Sequence, residues 1–137
     1  MPVVSFEQLQ CWQLANELKQ NVYALVDRTS AKNDVKFCDQ IKGSAASGPS
    51  NIAEGFGHYG HGDAARYARI AKASLTETRN HILDGIDRRH WTPDDADPLL
   101  QVAKRAVAAT TGWLAYLKST PTPLARWERS KRKPSGA

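Results

Sequence analysis

The stretch of sequence that decides the fold is residues 47–62, which read SGPSNIAEGFGHYGHG. Pro49 lies inside an otherwise helical pattern, although an interior proline costs a helix roughly 3 kcal/mol. Asn51 and Glu54 follow it three residues apart, so they share one helix face. The glycines after Glu54 then end the helical pattern. The stretch predicts a helix kinked at Pro49 or, alternatively, a break at Gly48 with a new helix beginning at Pro49.

Apolar residues recur at intervals of three and four on both sides of this stretch, which indicates amphipathic helices. We predict helices over residues 5–28, from residue 33 or 34 to 58, over 63–89 and over 93–118. Gly85 is expected to weaken the end of the third helix. The predicted core positions are Cys11, Ala15, Leu18, Val22 and Leu25 in the first helix, Ile41, Ala45, Ile52 and Phe56 in the second, Ala64, Ala68, Ala71, Leu75, Thr78, Ile82 and Ile86 in the third, and Leu100, Ala103, Val107, Thr110, Leu114 and Leu117 in the fourth.

Short links between these helices predict an antiparallel up-down-up-down bundle. No stretch has a convincing strand pattern, so the predicted fold class is all-α, a four-helix bundle over residues 1–119 with a kinked second helix. Residues 120–137 hold Pro121, Pro123 and Pro134, and prolines discourage regular structure. We therefore expect residues 120–137 to form a flexible, largely disordered tail.

The formal net charge of +5 is concentrated in this tail. Residues 1–119 hold 14 basic and 13 acidic residues, a balance of +1, whereas the tail holds five basic residues and Glu128, a balance of +4. Flexible basic tails bind phosphate backbones without sequence preference; the alternative is a solubilising end. The candidate nucleic-acid-binding residues are Arg126, Arg129, Lys131, Arg132 and Lys133.

The composition disfavours membrane and secreted classes of protein. The sequence holds no run of about 18 apolar residues, the length needed to span a membrane. Residues 1–4 do not form the basic and apolar segments of a signal peptide. Cys11 and Cys38 are isolated, and we expect free thiols in a reducing cytosol rather than a disulfide. The chain is therefore expected to be cytoplasmic.

Residues 55–60 match the G-x-G-x-x-G pattern of phosphate-binding loops. They follow a predicted helix rather than a strand, so a helix stop and turn is the better interpretation. His58, His61 and Asp63 are close together in the sequence, but they lack the spacing of known zinc motifs. We predict no functional metal and no cofactor.

Four polar residues fall near the predicted core faces of the second and third helices: Asn51, Glu54, Ser74 and Glu77. A carboxylate pair can do acid–base work, but helical bundles often hold such groups in a buried hydrogen-bonded network. We favour the network, in which Asn51 and Glu54 satisfy backbone groups that Pro49 frees. Ser50 and Ser74 have no histidine base at a recognisable spacing. The sequence therefore predicts no catalytic residue and no enzymatic activity.

Residues 49–56, PSNIAEGF, resemble the signature of the bacterial four-helix-bundle family named after the 23S rRNA intervening-sequence protein. The resemblance extends over about residues 5–118, and the chain departs from the family pattern at Gly43, Gly48 and Ala73. Weaker matches in the family order are Phe6, Leu9, Trp12, Ala15, Asp39, Gln40, Ile41, Ile70, Ala71, Ser74, Leu75, Glu77 and the end of the last helix from Trp113 to Leu117. The resemblance implies that the structural signature consists of Pro49, Ser50, Asn51, Glu54, Gly55 and Glu77.

The same resemblance implies a homo-oligomer, a ring-shaped pentamer, and no defined enzymatic activity. Aromatic residues outside the core stripes supply a candidate subunit interface: Trp12, Tyr23, Trp113 and Tyr116. The family resembles accessory variability proteins of diversity-generating retroelements, which work with nucleic acid. We therefore expect a non-enzymatic oligomer that binds RNA or DNA, or that scaffolds a nucleic-acid-associated complex. The alternative is a protein–protein scaffold without nucleic-acid affinity.

Overall fold

The structure, a computed structural model, describes residues 3–58 and 60–122. Within these residues it contains four long helices and no strand. Short 3-10 turns precede the first two helices, at Phe6–Gln8 and Ser30–Asn33. The four helices are α1 (Gln10–Asp27), α2 (Val35–Gly57), α3 (His61–Asp87) and α4 (Pro93–Ser119).

The helices form an antiparallel four-helix bundle, as predicted. Helix α1 packs against α2 and α4, and α3 packs against the same two helices. Three short connections join them, so consecutive helices run in opposite directions. We call the end of the bundle that holds the start of α1, the α2–α3 link and the end of α4 the open end, and we call the opposite end the turn end. None of the described helices combines the length and apolar character needed to cross a membrane.

The predicted core stripes of α1, α2 and α3 are largely confirmed. Every predicted position of α1 is buried, and so is every predicted position of α3 except Ile86, which is half-buried. In α2, Phe56 is only half-buried, and Phe37 is a buried residue that the pattern did not predict. The largest fully buried side chains are Phe37, Leu18, Leu25, Ile41, Ile52, Leu75 and Ile82.

The predicted core stripe of α4 is confirmed at Ala103, Thr110 and Leu117, which are buried, and is wrong at its other three positions. Leu100, Val107 and Leu114 are half-buried rather than buried. The buried positions are Ala96, Leu99, Val102, Ala103, Ala106, Thr110 and Leu117. The sequence of α4 offers two overlapping apolar stripes, and the one rich in alanine faces the core. The larger side chains of the other stripe lie at the boundary with solvent, because a close-packed interior has room only for side chains of matching volume.

Helix α2 runs without interruption through Pro49, so the alternative of a break at Gly48 is wrong. The predicted kink of this helix at Pro49 stays a prediction. Gly48 is buried where α2 and α3 pack together, and a Cβ atom there would lie 2.9 Å from Leu75 Cδ2. The missing side chain lets the two helices come close. Pro49 itself is also buried in this contact region.

Candidate functional site

The five basic tail residues predicted to bind nucleic acid lie outside the described residues. The chain that leads to them is described as far as Thr122. The backbone N–H of His61 donates a hydrogen bond to Thr122 Oγ1 at 2.9 Å, and His61 Nδ1 lies 2.7 Å from the carbonyl oxygen of Thr120. These two bonds hold the start of the tail against the first turn of α3.

A cavity of about 840 Å³ lies beside this attachment point, at the open end of the bundle. It is formed by the residues before α1, the end of α2, the start of α3 and the end of α4. Most of the lining is apolar or aromatic. The lining residues are Val3, Leu9, Gly55, Phe56, Gly57, His58, His61, Trp113, Tyr116 and Leu117.

Basic residues outnumber acidic ones in the middle of α3 and in the later turns of α4, which the sequence analysis missed. Residues 64–83 and 98–119 contain seven basic residues but only one acidic residue, Glu77. By contrast, residues 3–58 contain five basic and six acidic residues. Over its full length, α3 holds four basic and four acidic residues and α4 holds three of each, so the basic excess is confined to the middle of α3 and the later turns of α4. We call the seven residues the basic face: Arg66, Arg69, Lys72, Arg79, Lys104, Arg105 and Lys118.

The side chains of the basic face point largely towards solvent. Six of the seven residues are exposed, and Lys72 is half-buried. Arg79 on α3 and Lys104 on α4 line a common cleft of about 280 Å³. None of the seven makes an ion pair with another described residue. The face therefore presents positive charge from two neighbouring helices to the surrounding solution.

The α3–α4 link and the helix ends beside it have the opposite charge. Residues 84–97 contain five acidic and two basic residues. Asp34, at the start of α2, lies within this region, with its Oδ2 atom 3.1 Å from Arg88 Nη1 and 2.9 Å from His90 Nε2. The hydrogen bond from His90, followed by those from the Phe37 amide and Arg88, lowers the pKa of Asp34.

His90 also connects the two loops of the turn end. Its Nδ1 atom lies 2.8 Å from Ser30 Oγ, and its Nε2 atom contacts Asp34. The order Ser30–His90–Asp34 is that of a serine nucleophile with its base, and sequence spacing did not reveal it because 60 residues separate Ser30 from His90. Asp34, however, is the N-cap of α2 and accepts from the Phe37 amide. The three residues thereby tie the α1–α2 loop to the α3–α4 loop.

The predicted polar network between α2 and α3 exists, but only Asn51 and Ser74 of its four predicted members belong to it. Ser47 Oγ lies 2.7 Å from Ser74 Oγ, and Asn51 Nδ2 donates to both the carbonyl oxygen and Oγ of Ser47 at 2.9 Å. The Thr78 hydroxyl lies 2.9 Å from Ser44 Oγ and 2.8 Å from the Ser74 carbonyl oxygen. We call these five residues the polar seam. Asn51 thus serves Ser47 rather than a backbone group freed by Pro49.

The two glutamates are not part of this network, and their predicted burial is wrong. The side chains of Glu54 and Glu77 are 61% and 60% exposed, and each pairs with a histidine one turn later on its own helix. Glu54 comes two residues after Ile52, and Glu77 comes two residues after Leu75. Two residues turn a helix by about 200°, so both carboxylates point away from the core. The structure therefore does not bring them together for acid–base work.

The remaining signature residues have separate roles. Ser50 is exposed, whereas Gly55 is buried. A Cβ atom on Gly55 would lie 2.9 Å from Tyr67 Cβ and 3.2 Å from the carbonyl oxygen of Ala64, so this glycine lets the end of α2 pack against the start of α3. The signature residues therefore contribute to the packing of α2 against α3 as well as to the polar seam.

The four aromatic residues predicted to form a subunit interface do not lie in one patch. Trp113 and Tyr116 both line the cavity at the open end. Trp12 is half-buried, with its ring 5.2 Å from that of Phe6. Tyr23 lies eleven residues beyond Trp12 on α1, which corresponds to about 16 Å along the helix axis. The interface itself stays a prediction.

The glycine-rich stretch behaves as expected. Gly57 ends α2 and Gly60 precedes α3, so the G-x-G-x-x-G pattern is a helix stop and turn. Among the residues that the structure describes, no group of three histidine, cysteine or acidic side chains could hold a metal ion. Cys11 and Cys38 are free thiols, and burial raises the pKa of Cys11 to about 11.

Comparison with known proteins gives one family. The model of a family described as 23S rRNA-intervening sequence protein matches residues 7–112. This span of 106 residues, from 112 − 7 + 1, includes α1, α2, α3 and most of α4, and it excludes the tail. No curated protein matched the chain.

Proposed function

The chain belongs to the family of the 23S rRNA-intervening sequence protein, and we propose that it is a non-enzymatic, homo-oligomeric bundle that binds RNA or DNA electrostatically. The observation that carries this proposal is the basic face, none of whose seven residues makes an ion pair with another described residue. The tail adds five more basic residues to the same chain. Together they supply positive charge on a helical surface and on an extension attached at its open end.

The proposed mechanism is contact with phosphate groups rather than reading of bases. Each phosphate that a lysine or arginine neutralises releases condensed counterions, which makes the binding strongly dependent on salt. Arg79 and Lys104 are the best-placed pair, because they line one cleft from two helices. Phosphate contacts of this kind position a nucleic acid but do not select its sequence.

Oligomerisation would multiply these contacts. A pentamer, the state that the family resemblance implies, would carry five basic faces and five tails. Linked weak contacts raise the overall affinity when several can engage at once. A long or folded nucleic acid that reaches more than one subunit is therefore a better ligand than a short one.

The experiment compares binding of labelled structured RNA and duplex DNA at low and near-physiological salt. Full-length chain is tested beside a chain ending at Thr122 and beside the double variant Arg79→Glu/Lys104→Glu. The matched control is Lys32→Glu/Lys36→Glu, which makes the same change in net charge at exposed positions outside the basic face. Light scattering checks that all versions keep the same number of subunits.

We expect the basic-face variant to bind at least tenfold more weakly and to lower the slope of log K against log salt by about 2, since each duplex contact contributes roughly 0.9. The control variant should lose much less affinity. Equal losses of affinity in both variants would show that only net charge matters and would contradict a specific role of the basic face in binding. Failure of the full-length chain to bind either nucleic acid would overturn the proposed function.

The second candidate function is a protein–protein scaffold without nucleic-acid affinity. It is favoured by the apolar cavity at the open end, where Tyr116 is 52% exposed. Exposed aromatic surface of this kind is typical of protein interfaces. An intact oligomer that binds no nucleic acid in the experiment above would favour this function.

A further inference from the structure

We infer that the cavity at the open end is the docking site of the chain's own residues 124–127, with Leu124 and Trp127 as the side chains that fill it. This inference concerns how the bundle and its tail are joined. It does not rest on nucleic-acid binding, and its test contains no nucleic acid.

The walls of the cavity have the chemistry of an apolar binding site. Phe56 from α2, Trp113 and Tyr116 from α4, and Leu9 from the segment before α1 converge on it. Its volume of about 840 Å³ lies within the range of sites that enclose ligands of several hundred daltons. Tyr116 is 52% exposed and Val3 is 46% exposed, so apolar surface is uncovered at its mouth.

The described part of the chain ends beside this cavity. His61 lines the cavity and also bonds to Thr120 and Thr122, so the last described residues are held at its edge. Leu124 is two residues further on and Trp127 is five. At 3.3–3.6 Å per extended residue, these side chains can reach about 7 and about 17 Å from Thr122. The cavity is therefore within reach without any change in the bundle.

The sequence beyond Thr122 offers few other residues for such a site. Leu124 and Trp127 are the only large apolar residues among residues 123–137. They are three residues apart, so both apolar side chains would lie on one side of the segment if it docks as a helical turn. Because the segment is tethered to the edge of its site, its effective concentration there is high and modest contacts suffice to hold it.

Docking would also fix where the rest of the tail begins. Arg129, Lys131, Arg132 and Lys133 would leave the bundle at the open end, where Lys118 and Arg66 belong to the basic face. The tail would then extend this face rather than move independently of it.

The experiment labels the full-length chain with 5-fluorotryptophan, which gives one fluorine resonance for each of the four tryptophans. Trp127→Phe identifies the Trp127 resonance by its loss. The change in shift between H₂O and D₂O then measures how exposed each ring is. Trp91, which is 4% exposed, serves as the buried reference, and the unfolded chain supplies the exposed reference.

We expect Trp127 to show less than half of the solvent-isotope shift of the unfolded chain. Tyr116→Ala should restore most of that shift, because Tyr116 forms part of the cavity wall. Gln101→Ala, a control at an exposed position of the same helix outside the cavity, should leave it unchanged. A Trp127 resonance with the full shift of the unfolded chain would overturn the inference, and so would protection that Tyr116→Ala does not reduce.

A mixing experiment distinguishes docking within one chain from docking on a second copy. Labelled full-length chain is unfolded and refolded with an excess of unlabelled Tyr116→Ala chain. If each segment docks on its own bundle, Trp127 of the labelled chain stays protected. Exposure that rises with the proportion of the variant would show docking on a neighbouring copy and would contradict the inference.

Discussion

The indole ring of Trp91 lies directly against the backbone of Gly85. A Cβ atom on Gly85 would come within 2.1 Å of Trp91 Cζ2 and 2.2 Å of Cε2. The ring is held in place because its Nε1–H donates a 2.9 Å hydrogen bond to the carbonyl oxygen of Ile82. The glycine that the sequence marks as a weak point of α3 is therefore the position that admits the largest buried side chain of the turn end.

Gly85→Ala should destabilise the protein by about 2 kcal/mol or more, because overpacking a fixed ring costs more than the helix propensity gained. Urea unfolding measures the change. The matched control is Gly43→Ala, since Gly43 is exposed with no atom within 4 Å of a new Cβ, and it should gain about 0.5–1 kcal/mol. Equal effects of the two substitutions would contradict the close packing of Trp91 on Gly85.

Thr78→Val should cost about 1–3 kcal/mol, because it removes a buried hydroxyl from the polar seam and leaves Ser44 Oγ with one partner fewer. The comparison is Thr76→Val, which removes an exposed hydroxyl bonded to the carbonyl oxygen of Lys72 and should change stability by at most about 0.5 kcal/mol. Thermal melts of both variants beside the unchanged protein provide the measurement. Similar melting temperatures for the two variants would show that the seam adds little to stability.

Pro49→Ala should leave the melting temperature unchanged or raise it. The substitution restores an amide donor inside α2, where an interior proline costs roughly 3 kcal/mol, and this gain offsets the packing lost with the buried ring. Light scattering on the same sample adds a second readout. If the variant forms smaller oligomers while its stability is unchanged, the Pro49 region belongs to a subunit interface.

Glu54→Ala should change stability by no more than about 0.5 kcal/mol, as expected for an exposed side chain. Its carboxylate lies 3.8 Å from His58 Nε2 and is 61% exposed, and exposed ion pairs contribute little. A marked drop in melting temperature would mean that the carboxylate has a partner beyond the described residues.

Asp34→Asn should destabilise the protein at neutral pH, and the difference should shrink as the pH falls below the unfolded pKa of Asp34. Hydrogen bonds from His90, the Phe37 amide and Arg88 lower the pKa of Asp34 below its unfolded value, which is about 3.9. The stability gained is therefore fully present above the unfolded pKa and is lost as the pH falls through the folded pKa. Asparagine still caps a helix, so the substitution isolates the charge.

The measurement is urea unfolding of Asp34→Asn and the unchanged protein between pH 7 and pH 3. Asp39→Asn, at an exposed position of α2, is the control and should show a small difference that does not vary with pH. A constant difference for Asp34→Asn over the whole range would contradict a lowered pKa.

The sequence predicted the helices and most of the core because these depend on local periodicity. The register of α4 could not be predicted in the same way, since Leu99 and Leu100, like Ala106 and Val107, are adjacent apolar residues that fit two stripes. The choice between them depends on the space left by the other three helices, and no local pattern records that space.

The candidate site was less predictable than the fold. Asn51 and Ser74 were correctly placed near the α2–α3 contact, but Ser47, Ser44 and Thr78 were not recognised as their partners because they lie up to 34 residues apart. Small polar residues carry no periodic signal, and their hydrogen bonds become visible only when two helices are placed side by side. The cleft between Arg79 and Lys104 was missed for the same reason, because it forms only where α3 and α4 lie side by side.

The charges of α3 and α4 are also unequal along the bundle. Residues 84–97 at the turn end are acidic in balance, whereas Arg66 and Lys118 lie towards the open end. A helix of 27 residues is about 40 Å long, so the separated charges give the molecule an electric dipole along its long axis. If the protein binds a polyanion, as proposed, the field of that polyanion favours approach by the open end. Orientation is then selected during diffusion rather than after contact.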